Sequence, residues 1–351
     1  MPHHLYNLVA FLISALVVLC ITPLVRKVAL KSGRVDLPNA RKVHQGPMVR
    51  LGGVAIFAGV LFALLSVWAL GGFGLQATAK SNEVWGVTIG GLACFLIGLA
   101  DDLFGLSASV RLLLQAMVAA TAWYMGVHID FLTIPFVGLV HLPDALSLIM
   151  TVIWLVGMAN AINWIDGLDG LAAGVSGIAA VVMLITSLFM QQPAAALIAA
   201  ALAGGALGFL RYNFNPAQIF MGDGGAYFIG FTLAGVGVIG LVKSLTTVAV
   251  VLPYVILAVP ILDMSAVIVA RLRRGKSPFV ADKRHLHHRL LQAGISHRLT
   301  VLYIYVLTLW VGTLALAVSG IPSGLGSAIG ATLLLGYTSW QVWKSTRQSQ
   351  T

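Results

Sequence analysis

The chain has 351 residues, of which 59% are hydrophobic and 9% charged, with a mean hydropathy of +0.96. A soluble domain carries roughly 25% charged residues, so the composition excludes a soluble fold and requires an integral membrane protein. The formal charge of +10 does not indicate a nucleic-acid partner, because Lys and Arg are distributed by side of the membrane and not clustered among aromatics.

A span needs about 20 mainly apolar residues, and the sequence offers about eleven such runs. They lie near 5–25, 51–70, 85–102, 107–126, 146–164, 170–190, 194–211, 225–242, 246–269, 299–319 and 326–343. The first run lacks a basic leader and a small-residue cleavage pattern, so it is expected to remain as the first helix. Between the fourth and fifth runs, HIDFLTIPFVGLVHLPD (128–144) alternates apolar residues around Pro135 and Gly138. That alternation predicts a short β-hairpin on the outer face. The fold class is therefore an all-α polytopic bundle of about 11 transmembrane helices, forming a single domain over 1–351. Cys20 and Cys94 fall inside predicted spans, which argues against a disulfide. Gly204 and Gly208 fit close helix packing in lipid.

Counting the breaks alternately places Arg26, Lys27, Lys31, Arg34, Arg41, Lys42, Arg50, Arg111 and Arg211 on one side. The basic residues from Arg271 to Arg298, with Lys344 and Arg347, fall on that same side, and only Lys80 and Lys243 lie opposite. The positive-inside rule then puts the N-terminus outside and the C-terminus in the cytoplasm.

The 11 acidic residues are the most informative feature. Asp101 and Asp102 end the third run in GLADDLFGL, and Asp166 and Asp169 end the fifth in NAINWIDGLDGLAAG. Asp223 follows the seventh in NPAQIFMGDGGAYF, and Asp263 lies within the ninth. All but Asp263 are expected at cytoplasmic helix ends. A carboxylate deep in a span costs about 2.5 to 3.5 kcal/mol, so such groups face a cavity, a partner or an ion. Each acid alone is equally well read as a span boundary. Five on one face, among glycines and without an immediate basic neighbour, imply a cation absent from the sequence. At about 100° per residue, Asn160, Asn163, Asp166, Gly167 and Gly170 share one helix stripe. Oxygen donors of this kind suit Mg²⁺, which keeps waters and bridges one or two carboxylates to substrate phosphates.

Two basic loops complement the acids. RKVALKSGRVDLPNARKVHQGPMVRLGG carries Lys42, His44 and Arg50 before Gly52 and Gly53, whose N–H groups at a helix start could receive an anion. Topology alone explains most of its charges. RLRRGKSPFVADKRHLHHRLLQAGISHR gathers His285, His287, His288 and Arg289. A zinc site and a solvated histidine cluster are both open readings. An anion- and sugar-binding element is favoured, because neutral His and Arg donate hydrogen bonds to diphosphate and hydroxyl oxygens. Nearby Arg and Lys disfavour protonation of these histidines. No phosphate-loop or H-E-x-x-H pattern is present, so nucleotide hydrolysis is unsupported.

At DLPNARKVHQGPMVRLGG, LADDLFGL, NAINWIDGLDGLAAG, NPAQIFMGDGGAYF and HLHHRLL the chain resembles the polyprenyl-phosphate N-acetylhexosamine-1-phosphate transferase family. The resemblance implies a cytoplasmic active site that transfers sugar 1-phosphate from a UDP-N-acetylhexosamine to a polyprenyl phosphate lipid, releasing UMP. It also implies a Mg²⁺ cofactor, with Mn²⁺ as an alternative, and a bacterial plasma-membrane location; a homodimer is compatible with it. The branch that makes the muramoyl-pentapeptide lipid carries three consecutive histidines, whereas Leu286 here separates His285 from His287. The chain is in this respect similar to the branch using UDP-N-acetylglucosamine to start teichoic acid, O-antigen or common-antigen chains. By resemblance, Asp101 faces the lipid phosphate as base or orienting group, and Asp102 and Asp223 are the metal ligands. Asn163 and Asp166 hold uridine diphosphate or a metal-bound water, and Asp169 supports them. His285, His287, His288 and Arg289 bind the sugar diphosphate, with Lys42 and His44 as further contacts.

Two rivals fit less well. An aromatic prenyltransferase uses D-x-x-x-D pairs, but Asp166 and Asp169 make only D-x-x-D. A cation-coupled transporter needs acids near the midplane, where only Asp263 is expected.

Overall fold

A computed structural model describes residues 3–33, 48–72, 78–134, 138–242, 247–275 and 284–348. Among these residues the helices are α1 (His3–Lys31), α2 (Gly52–Ala69), α3 (Thr78–Phe104), α4 (Ala108–Tyr124), α5 (Asp144–Ile165), α6 (Leu171–Phe189) and α7 (Pro193–Asn213). They continue as α8 (Gly222–Val236), α9 (Thr247–Ile256), α10 (Ala258–Leu272), α11 (Leu286–Gln292), α12 (His297–Val318) and α13 (Gly324–Gln348). A π-helical turn, Gly237–Val242, extends α8. Eight of the helices are long and apolar enough to cross a membrane: α1, α2, α3, α5, α6, α7, α8 and α12. The protein is a multi-pass membrane protein.

Local chemistry sets several boundaries. Ser107 and Ser296 cap α4 and α12 by accepting the N–H groups of Val110 and Leu299, each at 3.4 Å. Pro193 opens α7, where its missing N–H costs nothing. The ninth apolar run differs from the single span expected over 246–269, because the helix breaks at Leu257 between α9 and α10. Pro260 supplies the reason: it has no N–H for the Ile256 carbonyl four residues earlier, and its ring crowds that oxygen.

The core is organised around α8, which packs against α2, α3, α5, α6 and α7. The apolar window of α8 is 94% buried and that of α7 83%, against 22% for α1, so α8 and α7 are central and α1 peripheral. On α1, Leu5, Leu8, Leu12, Leu16 and Leu19 form an exposed stripe at helical spacing, the face offered to lipid. The opposite face of α1 meets α7 closely. A Cβ on Gly204 would overlap the Phe11 carbonyl, and one on Gly208 would lie 3.1 Å from that of Ala15. The expected small-residue seam is thus present.

The expected hairpin is also present. β1 (Phe131–Ile134) pairs antiparallel with β2 (Gly138–His141), with Phe131 opposite His141. Pro135 lies outside the described residues. The hairpin leads into the start of α5, so it stands at the opposite end of the bundle from Asp166, which follows α5. Cys20 and Cys94 are both free, as expected.

Candidate active site

The site is assembled where the segments before α2 and α8 run side by side. Phe220 N–H donates to the Val49 carbonyl at 2.8 Å, Gly52 N–H to Phe220 at 2.9 Å and Gly53 N–H to Met221 at 2.7 Å. A Cβ on Gly53 would fall 2.5 Å from the Gly225 Cα, closer than any real contact. The glycine pair therefore lets two helix starts touch. This corrects the expectation that it receives an anion, since both N–H groups are spent on carbonyls.

That junction delivers the carboxylates. Asp102, near the end of α3, accepts the Gly224 N–H on Oδ2 at 3.1 Å, while its Oδ1 is buried and without a hydrogen-bond partner. Asp223, in the first turn of α8, accepts Asn163 Nδ2 from α5 on Oδ1 at 2.8 Å. Its Oδ1 lies 3.7 Å from Arg50 Nη2 and its Oδ2 3.8 Å from Arg111 Nη1. Asp101, largely buried, accepts the Leu106 N–H on Oδ1 at 2.7 Å and pairs with Arg111 through Oδ2. Asp166 caps the C-terminus of α5 beside them. Burial raises its pKa to about 7; Arg50 opposes that rise, while Asp223, Asp102 and Asp169 add to it.

Asp101, Asp102, Asp166, Asp223 and Asn163 thus come together as expected. The acids are not, however, without basic partners: Arg50 and Arg111 pair with them. Sequence reasoning placed Arg50 in a basic loop complementing the acids, but counted Arg111 only toward topology. Arg111 follows Asp101 across the α3–α4 turn, a relation that helical periodicity does not show. Four carboxylates against two guanidinium groups still leave two negative charges if all ionise.

Asp169, expected to support that pocket, lies in the turn beyond Asp166, whose charge it affects. Its Oδ2 accepts Asn215 Nδ2 and the Ala217 N–H, each at 3.0 Å, tying the turn after α5 to the loop before α8. Asn213 reinforces that tie by accepting the Gly170 N–H at 3.1 Å and donating to the Ile219 carbonyl at 2.9 Å. The Tyr305 hydroxyl of α12 donates to the Gly170 carbonyl. Asn160, on the same stripe as Asn163, donates to Gln115 of α4 at 2.7 Å and joins helices.

The histidine loop packs against the end of α5, at Trp164 and Gly167. Asp263, expected as a midplane acid, instead holds this loop: its Oδ2 lies 2.8 Å from His285 Nδ1 and its Oδ1 accepts the Leu286 N–H at 2.7 Å. That placement removes the feature that favoured a transporter. His285 packs edge-to-face on Trp164 at 5.9 Å and parallel to His287 at 5.7 Å. His287 is buried, and a Cβ on Gly167 would lie 2.5 Å from its Nε2, which has no hydrogen-bond partner. Burial, then His288 and His285, push the His287 pKa down to about 3, so it is neutral as expected, through a different cause from the Arg and Lys first invoked. His288 lies 4.2 Å from His287 between ring centres, and Arg289 is on the exposed face of α11. Lys42 and His44 lie outside the described residues. Among the described residues no three His, Cys, Asp or Glu side chains form a ready-made metal cage.

The fold and site define a polytopic membrane protein with an acidic, arginine-buttressed pocket at one end of its bundle. The glycosyl transferase family 4 model matches residues 84–242. The chain is 39% identical over 299 residues to the probable undecaprenyl-phosphate N-acetylglucosaminyl 1-phosphate transferase of Bacillus subtilis, covering 85% of this chain and 81% of that protein. It is 36% identical over 325 residues to the decaprenyl-phosphate N-acetylglucosaminephosphotransferase of Mycobacterium tuberculosis, covering 87% and 80%. It is 31% identical over 282 residues to the undecaprenyl-phosphate alpha-N-acetylglucosaminyl 1-phosphate transferase of Salmonella typhi, covering 78% and 74%. The chain belongs to glycosyl transferase family 4.

Proposed function

We propose that the protein transfers N-acetylglucosamine 1-phosphate from UDP-N-acetylglucosamine to undecaprenyl phosphate or a similar polyprenyl phosphate, releasing UMP, at the cytoplasmic face of a bacterial inner membrane. The observation that carries this reading is the convergence of Asp102 from α3, Asn163 and Asp166 from α5 and Asp223 from α8 around Arg50 and Arg111. The names of the relatives and the spacing of His285 and His287 favour N-acetylglucosamine over the muramoyl pentapeptide sugar.

In this reading a lipid phosphate oxygen attacks the phosphorus that bears the sugar, and the bond from that phosphorus to the UMP oxygen breaks. Two like charges about 4 Å apart repel by about 4 kcal/mol at an effective dielectric near 20, so bringing two phosphates together is the main burden. Arg111 and Arg50 screen that repulsion. Asp101 has both oxygens engaged, on Leu106 N–H and Arg111, and so acts by orienting Arg111. Asn163 and Asp166 face the uridine diphosphate, and the neutral His287 with His288 and Arg289 contributes hydrogen bonds to the donor sugar diphosphate. Asp102 and Asp223 would hold Mg²⁺, or Mn²⁺ in its place. The buried, unpartnered Oδ1 of Asp102 fits a hard divalent ion, and a site completed by waters and substrate phosphates needs no closed cage. When bound, the ion supplies neutralisation of phosphate charge.

Purified protein in detergent, given UDP-N-acetylglucosamine and polyprenyl phosphate, should release UMP without any ion gradient and stop when a chelator is added. Release of UDP, or preference for another sugar in a panel of UDP-sugars, contradicts the reading. A pH dependence follows from Asp166. Its proton is held up to about pH 7, so the ionised form is lost as the pH falls through that value. Asp166 interacts electrostatically with Asp223 and Asp102, so losing its charge should weaken the apparent affinity for Mg²⁺ between about pH 8 and about pH 6. Activity measured across Mg²⁺ concentrations at each pH checks this; an affinity independent of pH over that interval excludes it.

A further inference from the structure

Asp263 lies on α10, outside the carboxylate pocket, yet both of its oxygens are committed to the histidine loop. It accepts from the Leu286 N–H at 2.7 Å and meets His285 Nδ1 at 2.8 Å. The two side chains are only 7% and 8% exposed, so water does not compete for this contact. A carboxylate receiving the α11 backbone N–H and packed against an imidazole nitrogen is an acceptor, and the nitrogen facing it must carry the hydrogen. With that one hydrogen on the ring, the other nitrogen, Nε2, is a lone-pair acceptor. Phosphate oxygens offer such an atom nothing to accept. Sugar hydroxyls and an acetamido N–H do.

From this pairing we infer that Asp263 is a positioning residue that fixes His285 as the Nδ1–H tautomer, so that His285 reads a hydrogen-bond donor on the sugar and not the diphosphate. The inference rests on the proposed function for the identity of the sugar nucleotide. The other partners of the ring agree with a held orientation: Trp164, one residue after Asn163, meets it edge-on at 5.9 Å, and His287 stacks parallel to it at 5.7 Å. Arg271, also on α10, lies over the Trp164 ring at 5.0 Å and backs the same stack. Asp263 thereby joins α10 to the recognition loop.

The test separates sugar from diphosphate. Asp263→Asn keeps an oxygen for the Leu286 N–H but offers His285 an N–H, which reverses the tautomer. It should raise KM for UDP-N-acetylglucosamine about tenfold while leaving the inhibition constant of UDP, which lacks the sugar, within about twofold. Asp263→Glu should recover most of the loss. His285→Asn keeps a donor toward Asp263 but removes Nε2, and should show the same split without altering the carboxylate. Equal weakening of UDP and UDP-N-acetylglucosamine, a fall in kcat alone, or no effect in either Asn variant overturns the inference. Nitrogen-15 spectra of histidine-labelled full-length protein read the tautomer without any turnover: Nδ1–H at His285 in the wild type and reversal in Asp263→Asn are expected. An Nε2–H signal in the wild type overturns the assignment. Absence of UMP release by the wild type would instead defeat the proposed function and leave the tautomer result standing.

Discussion

Asp223→Asn should cut UMP release at least about a hundredfold while the protein stays folded in detergent. The amide matches the carboxylate in shape, so the first turn of α8 and its contact with Asn163 can persist. What is lost is charge: Asp223 lies between Arg50 and Arg111 and beside Asp102, and its replacement leaves two guanidinium groups facing fewer carboxylates. Asp102→Asn should behave similarly, because the oxygen without a protein partner would be replaced or rotated away. Turnover measured alongside thermal unfolding distinguishes the two effects. Near-normal turnover in either variant would remove these acids from the chemistry.

Gly222→Ala should be as damaging, by a steric route. Gly222 has φ of +75°, where a side chain is strained, and its Cβ would lie 2.6 Å from Asp102 Oδ2 while overlapping the Arg50 carbonyl. The added methyl must push apart three pieces of the site: the segment before α2, the end of α3 and the start of α8. Activity should fall at least about a hundredfold, accompanied by lower thermal stability, since strain and overpacking act together. Retention of wild-type activity and melting would mean that this junction is looser than its geometry indicates.

Much of this site could be read from the sequence because its signals are local. Asp101 and Asp102 end an apolar run, Asn163 and Asp166 share a helix stripe, and Asp223 opens another apolar segment; each fact needs only a few neighbouring residues. The hairpin was legible for the same reason, through its alternation and its turn. The partnerships were not. Arg111 reaches Asp101 across a turn, Asp263 meets His285 across the loop after α10, and Asp169 meets Asn215 and Ala217 from another helix pair. Such contacts depend on how helices pack, and hydropathy carries no record of them. Gly52 and Gly53 illustrate the ambiguity: two free N–H groups suggested an anion, whereas their carbonyl partners came from a segment some 170 residues away. The break at Leu257 was signalled by Pro260, although hydropathy alone merged the two helices.

The measurement that bears most directly on the convergence of these acids is binding of Mn²⁺, as a reporter for Mg²⁺, to the purified protein by electron paramagnetic resonance. One Mn²⁺ per chain, displaced by excess Mg²⁺ and lost in both Asp102→Asn and Asp223→Asn, is the expected result. Unchanged Mn²⁺ binding in both variants, together with turnover that persists in a chelator, would contradict a divalent-ion site built from these helix ends.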